Sequence, residues 1–329
     1  MIRIIKQVIF LVFLITQGSL AWPATQGTRP IQEIRIGYVP ILSQLPLVVS
    51  YEDLGISNRS VKIIMTRFGS FNGLEAAMRV QAIDFASLPV ITVLKMKING
   101  IDVKIVGQCS AGGSRLVTRN KGGLKDIRGL LIGVPDLESN ENLLLSLVFS
   151  PMDMRLGIEY KTIGISLGTV IEDYTGNRID SMFMPEPFGT IIENRKIGFM
   201  AEGQKDVLTG KFLTVLTINS SFLNKNKNIV SACLESIVKA CGFIEKDIKD
   251  LKAKQVSILQ KKYFDYDEDI IASSLENRKG EISFTKFLPE KKEINRFSEE
   301  AVKMKILTHS VNLDDLLSLE IMKQAMEKK

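Results

Sequence analysis

The sequence predicts an α/β protein made of two similar halves, and three observations carry that expectation. The first is an internal echo. Ile36-Gly37-Tyr38-Val39-Pro40 returns as Ile132-Gly133-Val134-Pro135, and Ile83-Asp84 returns as Ile179-Asp180, each time 96 residues later. The second is a set of prolines, Pro40, Pro89, Pro135, Pro185 and Pro187, placed just past runs that read as strands. Proline fixes its own φ and pushes its predecessor toward an extended shape, so these are stiff strand exits. The third is that helix-start signals follow the strand ends, giving strand, helix, strand, helix, strand in each half.

The elements follow in order. Arg3 and Lys6 precede the apolar run Val8 to Ile15, and Ser19-Leu20-Ala21 supplies small residues, which is the layout of a cleavable export signal with cleavage after Ala21. The run is too short for an anchor, since a membrane helix needs roughly 20 apolar residues. In the first half Asn72 and Glu75 form a capping-box-like opening for the helix carrying Leu74, Ala77 and Met78. In the second, Ser139 caps the helix ENLLLSLVF and Thr169 with Glu172 opens VIEDY. Gly176 within Thr175-Gly176-Asn177 then supplies the left-handed exit. The strand Asp180 to Met184 leads into Pro185-Glu186-Pro187, expected as one stiffened lip of a pocket at the strand ends.

Composition narrows the function. With 329 residues, 45% hydrophobic and 24% charged, the chain is of globular type and long enough for two lobes. Loss of Arg3 and Lys6 takes the net charge from +6 to +4, and the charges are interspersed, without a basic block of the nucleic-acid-binding kind. Three cysteines exclude a full disulfide framework. Cys233 and Cys241 fall eight residues apart in a predicted helix, roughly 12 Å along its axis, too far to bridge. Cys109 is open to a core or a pocket, with the core expected. His309 is the sole histidine, so neither a Ser/His/Asp triad nor a histidine-rich metal centre can be assembled. Neither GxxxxGK[ST] nor GxGxxG occurs. These absences point to binding without a cofactor, metal or catalytic residue.

The stretches IRIGYVPILSQLPLVVS, GLEAAMRVQAIDFASLPVI, GSRLVTRN, GLKDIRGLLIGVPDLESNENLLL, RIDSMFMPEPFGT and FLTVLTINSSFLNKNKNIVSACLESIVKA together resemble the NMT1/THI5-like family, which includes the periplasmic binding proteins of ABC importers for sulfonates, taurine and nitrate. The resemblance runs from about residue 33 to about 325. It implies a type II periplasmic binding protein fold, with two Rossmann-like lobes and a ligand cleft between them. Lobe one would take 30–116 and 214–329, with the C-terminal helices packed on it, and lobe two 117–213. It also implies a monomer that captures a small solute and passes it to an ABC permease and its ATPase. No lipoprotein cysteine is present, so a periplasmic location is expected. A sensor feeding a membrane receptor kinase is the alternative. A pyrimidine-precursor synthase of the same family is disfavoured, because the chain lacks that enzyme's histidine and cysteine-rich segment.

By the same resemblance, ligand contacts would come from Ser43 and Gln44, Ser70 and Asn72, and Ser87, Leu88 and Pro89 in lobe one. Lobe two would supply Ser139, Asn140, Glu186 and Phe188. For Ser70, Asn72 and Ser139 a plain helix cap is the competing role. Glu186 has two open roles. In a pocket it would disfavour a bare anion and suit an amine or N–H donor. Otherwise it is a structural carboxylate, paired with a base or capping its own loop; no pocket arginine is assigned to oppose it, although Arg67 and Arg115 stand near suitable strand ends.

Overall fold

A computed structural model describes residues 32–57, 61–208, 214–276 and 282–328. The expected export signal and the return crossing up to Leu213 lie outside the described residues.

The chain begins β1 (Gln32–Tyr38), α1 (Leu45–Ser57), β2 (Val61–Arg67), α2 (Phe71–Arg79), β3 (Phe85–Pro89), α3 (Val90–Ile98), β4 (Val103–Gly107). It continues through the two-residue β5 (Ala111–Gly112) into β6 (Ser114–Thr118) and β7 (Leu131–Val134). Then come α4 (Asn140–Phe149), β8 (Lys161–Gly164), α5 (Val170–Thr175), β9 (Ser181–Pro185), α6 (Phe188–Asn194), β10 (Phe199–Met200) and α7 (Gln204–Leu208). After β11 (Thr214–Asn219) the chain is mainly helical: α8 (Ser220–Lys225), α9 (Lys227–Leu251), α10 (Lys254–Gln260) and α11 (Glu268–Glu276). The short β12 (Ile282–Ser283), α12 (Lys291–Lys303) and α13 (Glu320–Glu327) complete it.

Two five-stranded sheets result, ordered β2-β1-β3-β11-β4 and β10-β6-β9-β7-β8. Each has a parallel core of three strands, β2-β1-β3 and β8-β7-β9, with an antiparallel strand laid beside the third. Parallel strands joined by helices are buried on both faces, which explains why β3 and β9 are buried throughout. The chain passes from the first sheet to the second through residues 108–113. Ser114–Thr118 is one strand of the second sheet, so the boundary expected between 116 and 117 falls inside it.

The echo is a structural repeat. Ile36 pairs with Phe85 and Gly37 with Ala86, and 96 residues on Ile132 pairs with Ser181 and Gly133 with Met182. The glycine is needed for close approach. A Cβ on Gly37 would lie 2.6 Å from the Ile83 side chain, and one on Gly133 would lie 2.7 Å from Ile179. The aspartates also correspond, because Asp84 accepts the Arg35 amide and Asp180 the Leu131 amide, both at 2.9 Å.

Helix ends depart from expectation in two places. Ser70, not Asn72, caps α2, its hydroxyl accepting the Gly73 amide at 3.2 Å. Thr169 makes no side-chain cap to α5, and the left-handed residue after it is Asn177 (φ 58°), Gly176 keeping a negative φ. Ser139 caps α4 as expected, accepting the Asn142 amide at 3.2 Å.

The C-terminal helices do not all keep to the first sheet. Helix α9 packs on α1, and α13 packs on α9 and β4, whereas α12 lies against both α3 and α4, and α11 touches α6. Ser146 of α4 donates to Glu300 of α12 at 2.9 Å. The free thiols Cys109, Cys233 and Cys241 are all buried, and burial pushes the Cys109 and Cys233 thiols up to about 12. They are core side chains.

Candidate functional site

In α/β sheets the loops past the C-terminal strand ends carry ligands, because helix N-termini and free backbone amides gather there. Here both sheets present that edge to one shared space. Its outer chamber, about 70 Å³, is bounded by Ser70 and Asn72 past β2, Pro89 at the end of β3, Asp136 past β7, Ser139 before α4 and Ser166 past β8. A smaller inner chamber, about 10 Å³, lies deeper, between Ser43, Ser114, Asn140, Glu141, Pro185 and Thr214. Phe71 and Pro89 wall both.

Direct bonds close the space. Asn72 Nδ2 donates to Asp136 Oδ2 at 3.3 Å, the Ile91 amide donates to Asn140 Oδ1 at 3.1 Å, and Lys95 pairs with Glu138. Nearer the crossing, the Leu42 amide donates to the Glu186 carbonyl at 3.0 Å and the Glu186 amide to the Gly113 carbonyl at 2.7 Å. The two lobes are therefore closed on one another.

The residues expected at the ligand divide accordingly. Ser70, Asn72, Pro89 and Ser139 line the outer chamber, and Ser43, Pro89 and Asn140 line the inner one. Gln44 is fully buried and works within lobe one, accepting the Val39 amide and donating to the Ser87 carbonyl, each at 3.0 Å. Ser87 and Leu88 are fully buried and border neither chamber. Phe188 packs edge-on against Tyr266, with ring centroids 6.3 Å apart, and borders neither chamber.

Glu186 takes the second of its two open roles. Its carboxylate is 2% exposed, lies 2.5 Å from Arg115 Nε, and accepts the Thr190 amide at 3.0 Å and the Thr190 hydroxyl at 2.8 Å. Arg115 also reaches Glu193 at 3.3 Å. A buried carboxylate is tolerable when a guanidinium and hydrogen bonds surround it, and these partners hold it at the start of α6. Gly189 makes the packing possible, since a Cβ there would lie 2.9 Å from Arg115 Cβ. The Pro185-Glu186-Pro187 loop, with its cis Glu186-Pro187 bond, is tied beside the crossing, and Pro185 lines the inner chamber.

Sequence reasoning missed Asp136, Glu138 and Lys95 at the rim, and Glu141, Ser114 and Thr214 within. Glu141 stands in the first turn of α4, 5% exposed, and accepts the Ser114 hydroxyl at 2.9 Å. Burial pushes its carboxyl above the ordinary range, opposed by hydrogen bonds from its own amide, Ser114 and Ser139. The repeat itself held the signal. Ser43-Gln44-Leu45 corresponds to Ser139-Asn140-Glu141 at the same offset of 96, so a carboxylate stands where the first lobe has leucine.

Two mixed sheets with parallel cores, facing across a closed cleft and linked through residues 108–113, match the type II periplasmic binding protein fold. The sequence profile of the NMT1-like family matches residues 27–259, and the chain belongs to that family. Among solved structures, it resembles the nitrate-binding protein NrtA of Synechocystis PCC 6803 at 13% identity and a TM-score of 0.79, covering 91% of this chain and 89% of that one. It also resembles the ligand-binding component of an ABC-type import system from Staphylococcus aureus, determined with zinc bound, at 19% identity and a TM-score of 0.78. That match covers 89% of this chain and 99% of the other. Among curated proteins it is 23% identical over 245 residues to the bicarbonate transport ATP-binding protein CmpC of Synechococcus elongatus. The match takes in 64% of this chain and 35% of that protein, so the chain spans about a third of that relative's length. Among the described residues no group of three or more His, Cys, Asp or Glu side chains could hold a metal ion.

Proposed function

We propose that the chain is the solute-receiving component of an ABC import system, exported through its N-terminal segment and working in the periplasm by binding, without turnover. One observation carries the reading: loops past the strand ends of both lobes enclose a single cleft, bridged by Asn72–Asp136, Lys95–Glu138 and Ile91–Asn140. A cleft whose walls belong to different lobes is sealed only when they meet, so a solute that touches both favours the closed arrangement by its differential contacts. Permease and ATPase would read that closed form. The family supports the assignment, as do neighbours named for nitrate binding and ABC-type import.

The lobes are taken to move about residues 108–113. A thermal-shift screen of the purified chain against sulfonates, nitrate, bicarbonate, amino-sulfonates and small nitrogen heterocycles tests the reading. A true ligand at 100 times its dissociation constant raises stability by about 2.7 kcal/mol. Chemical conversion of any binder would contradict it.

A further inference from the structure

The inner chamber is chemically one-sided. Its ionisable side chain is Glu141, and no lysine, arginine or histidine lines it among the described residues. The neighbouring charges are engaged elsewhere. Arg115, next to Ser114 on β6, turns to Glu186 and Glu193, while at the outer rim Lys95 is paired with Glu138 and Asp136 with Asn72. Glu141 thus lines the cavity with hydrogen bonds from its own amide and from the Ser114 and Ser139 hydroxyls, and without an ion pair among the described residues.

Two further observations point to a missing partner. Thr214, at the start of the strand that re-enters the first sheet, is 5% exposed, lines the same chamber, and its hydroxyl has no hydrogen-bond partner. A buried hydroxyl left unpaired is costly, and one that borders a cavity is placed to bond whatever enters it. Moreover, the fold does not require an acid at this step, because the equivalent residue of the first lobe is the fully buried Leu45. At about 10 Å³ the chamber has room for one group of water size.

We propose that the inner chamber seats the protonated amine, or an equivalent N–H-donor group, of the imported solute. Glu141 is its counter-charge, Thr214 and Ser114 supply flanking hydroxyl oxygens, and the remainder of the solute lies in the outer chamber. A bare nitrate, bicarbonate or sulfonate would meet a carboxylate and no cation there. This specificity rests on the solute-binding reading above.

Calorimetric titration of the purified chain with matched pairs tests it: ethanolamine against ethylene glycol, taurine against 2-hydroxyethanesulfonate, and 4-aminopyrimidine against 4-hydroxypyrimidine, with nitrate and bicarbonate as simple anions. The amine member of at least one pair is expected to bind tenfold or more tightly than its hydroxyl analogue. Glu141→Gln should erase that preference, and Thr214→Val should weaken the amine several-fold. With wild type, amine affinity should fall as pH is lowered, since a proton competes for the same carboxylate. That measurement does not depend on the Glu141→Gln variant folding. Anion binding of equal strength in wild type and Glu141→Gln would overturn the proposal while leaving the solute-binding reading standing. A panel without a binder counts against the proposal, and together with an unmoved lobe separation against both.

Discussion

Asp84 and Asp180 occupy the same step of the two repeats, yet they are held differently. Each accepts the amide of the neighbouring parallel strand at 2.9 Å. Asp84 is buried and also takes two bonds from the Arg35 side chain, at 3.0 and 2.7 Å, which together raise the Arg35 guanidinium's pKa. Asp180 is exposed and takes the backbone alone. At the next comparable step the contrast reverses: lobe one buries Leu45, and lobe two buries Glu141. At these two steps the first lobe's carboxylate ties its own strands together, and the second lobe's carboxylate lines the inner chamber. Equal backbone geometry, then, does not mean equal duty.

Swapping residues between equivalent steps should break the comparison most strongly at Leu45. Leu45→Glu puts a carboxylate into a fully buried apolar site with no prepared donor and should destabilise by about 3–4 kcal/mol in urea unfolding. Asp84→Ala comes next. It strands a partly buried guanidinium and an unpaired strand amide, an expected loss of about 2–3 kcal/mol after allowance for the exposure of Arg35. Asp180→Ala should lose only about 0.5–1 kcal/mol, one exposed-side hydrogen bond. Equal losses would mean that the Arg35 pair contributes nothing.

The glycines are a finer test. Gly37→Ala drives a methyl toward Leu74 and Ile83 and should cost about 2 kcal/mol, whereas Gly133→Ala, facing mainly Ile179, should cost about 1 kcal/mol. Adding Ile83→Val to Gly37→Ala should recover part of the loss, because it removes one of the two methyls at fault, the other being on Leu74.

The smallest expected change is Glu141→Gln, and it runs the other way. Removing a buried, ion-unpaired charge should stabilise the ligand-free protein at neutral pH by on the order of 1 kcal/mol. Because the folded-state pKa of Glu141 lies above its unfolded value, its favourable contribution is complete below the unfolded pKa and is lost as pH rises through the folded one. Wild type should therefore decline over that window relative to the variant. Matching pH profiles would show that Glu141 is not desolvated.

Much of the fold was legible because its signals are local. The repeat of Ile-Gly and Ile-Asp at one offset reports a real register, and the prolines end real strands. Capping was read less well: Asn72 was expected to open α2, but Ser70, two residues earlier, supplies the oxygen. Helix α12 spanning both lobes could not be foreseen, since its amphipathic pattern says that a face is buried and not against what. The site was legible by loop and not by residue. Glu141 reads in sequence as an acid in a helix's first turn, a common solvated arrangement. In the fold it is buried beside Ser114 and Asn140 of its own lobe and Ile41, Ser43 and Phe71 of the other. Glu186 drew attention because it stands between prolines, but Arg115, brought alongside by the pairing of β6 with β9, takes it out of the cleft.

The most direct test of a solute gripped between two lobes is the distance between them. Spin labels at Val80→Cys and Ile158→Cys, exposed positions on opposite lobes, avoid the buried native thiols. Pulsed electron resonance should show that saturating the tightest-binding panel member shortens and narrows the distance distribution. Saturation with no change in that distribution would contradict the account.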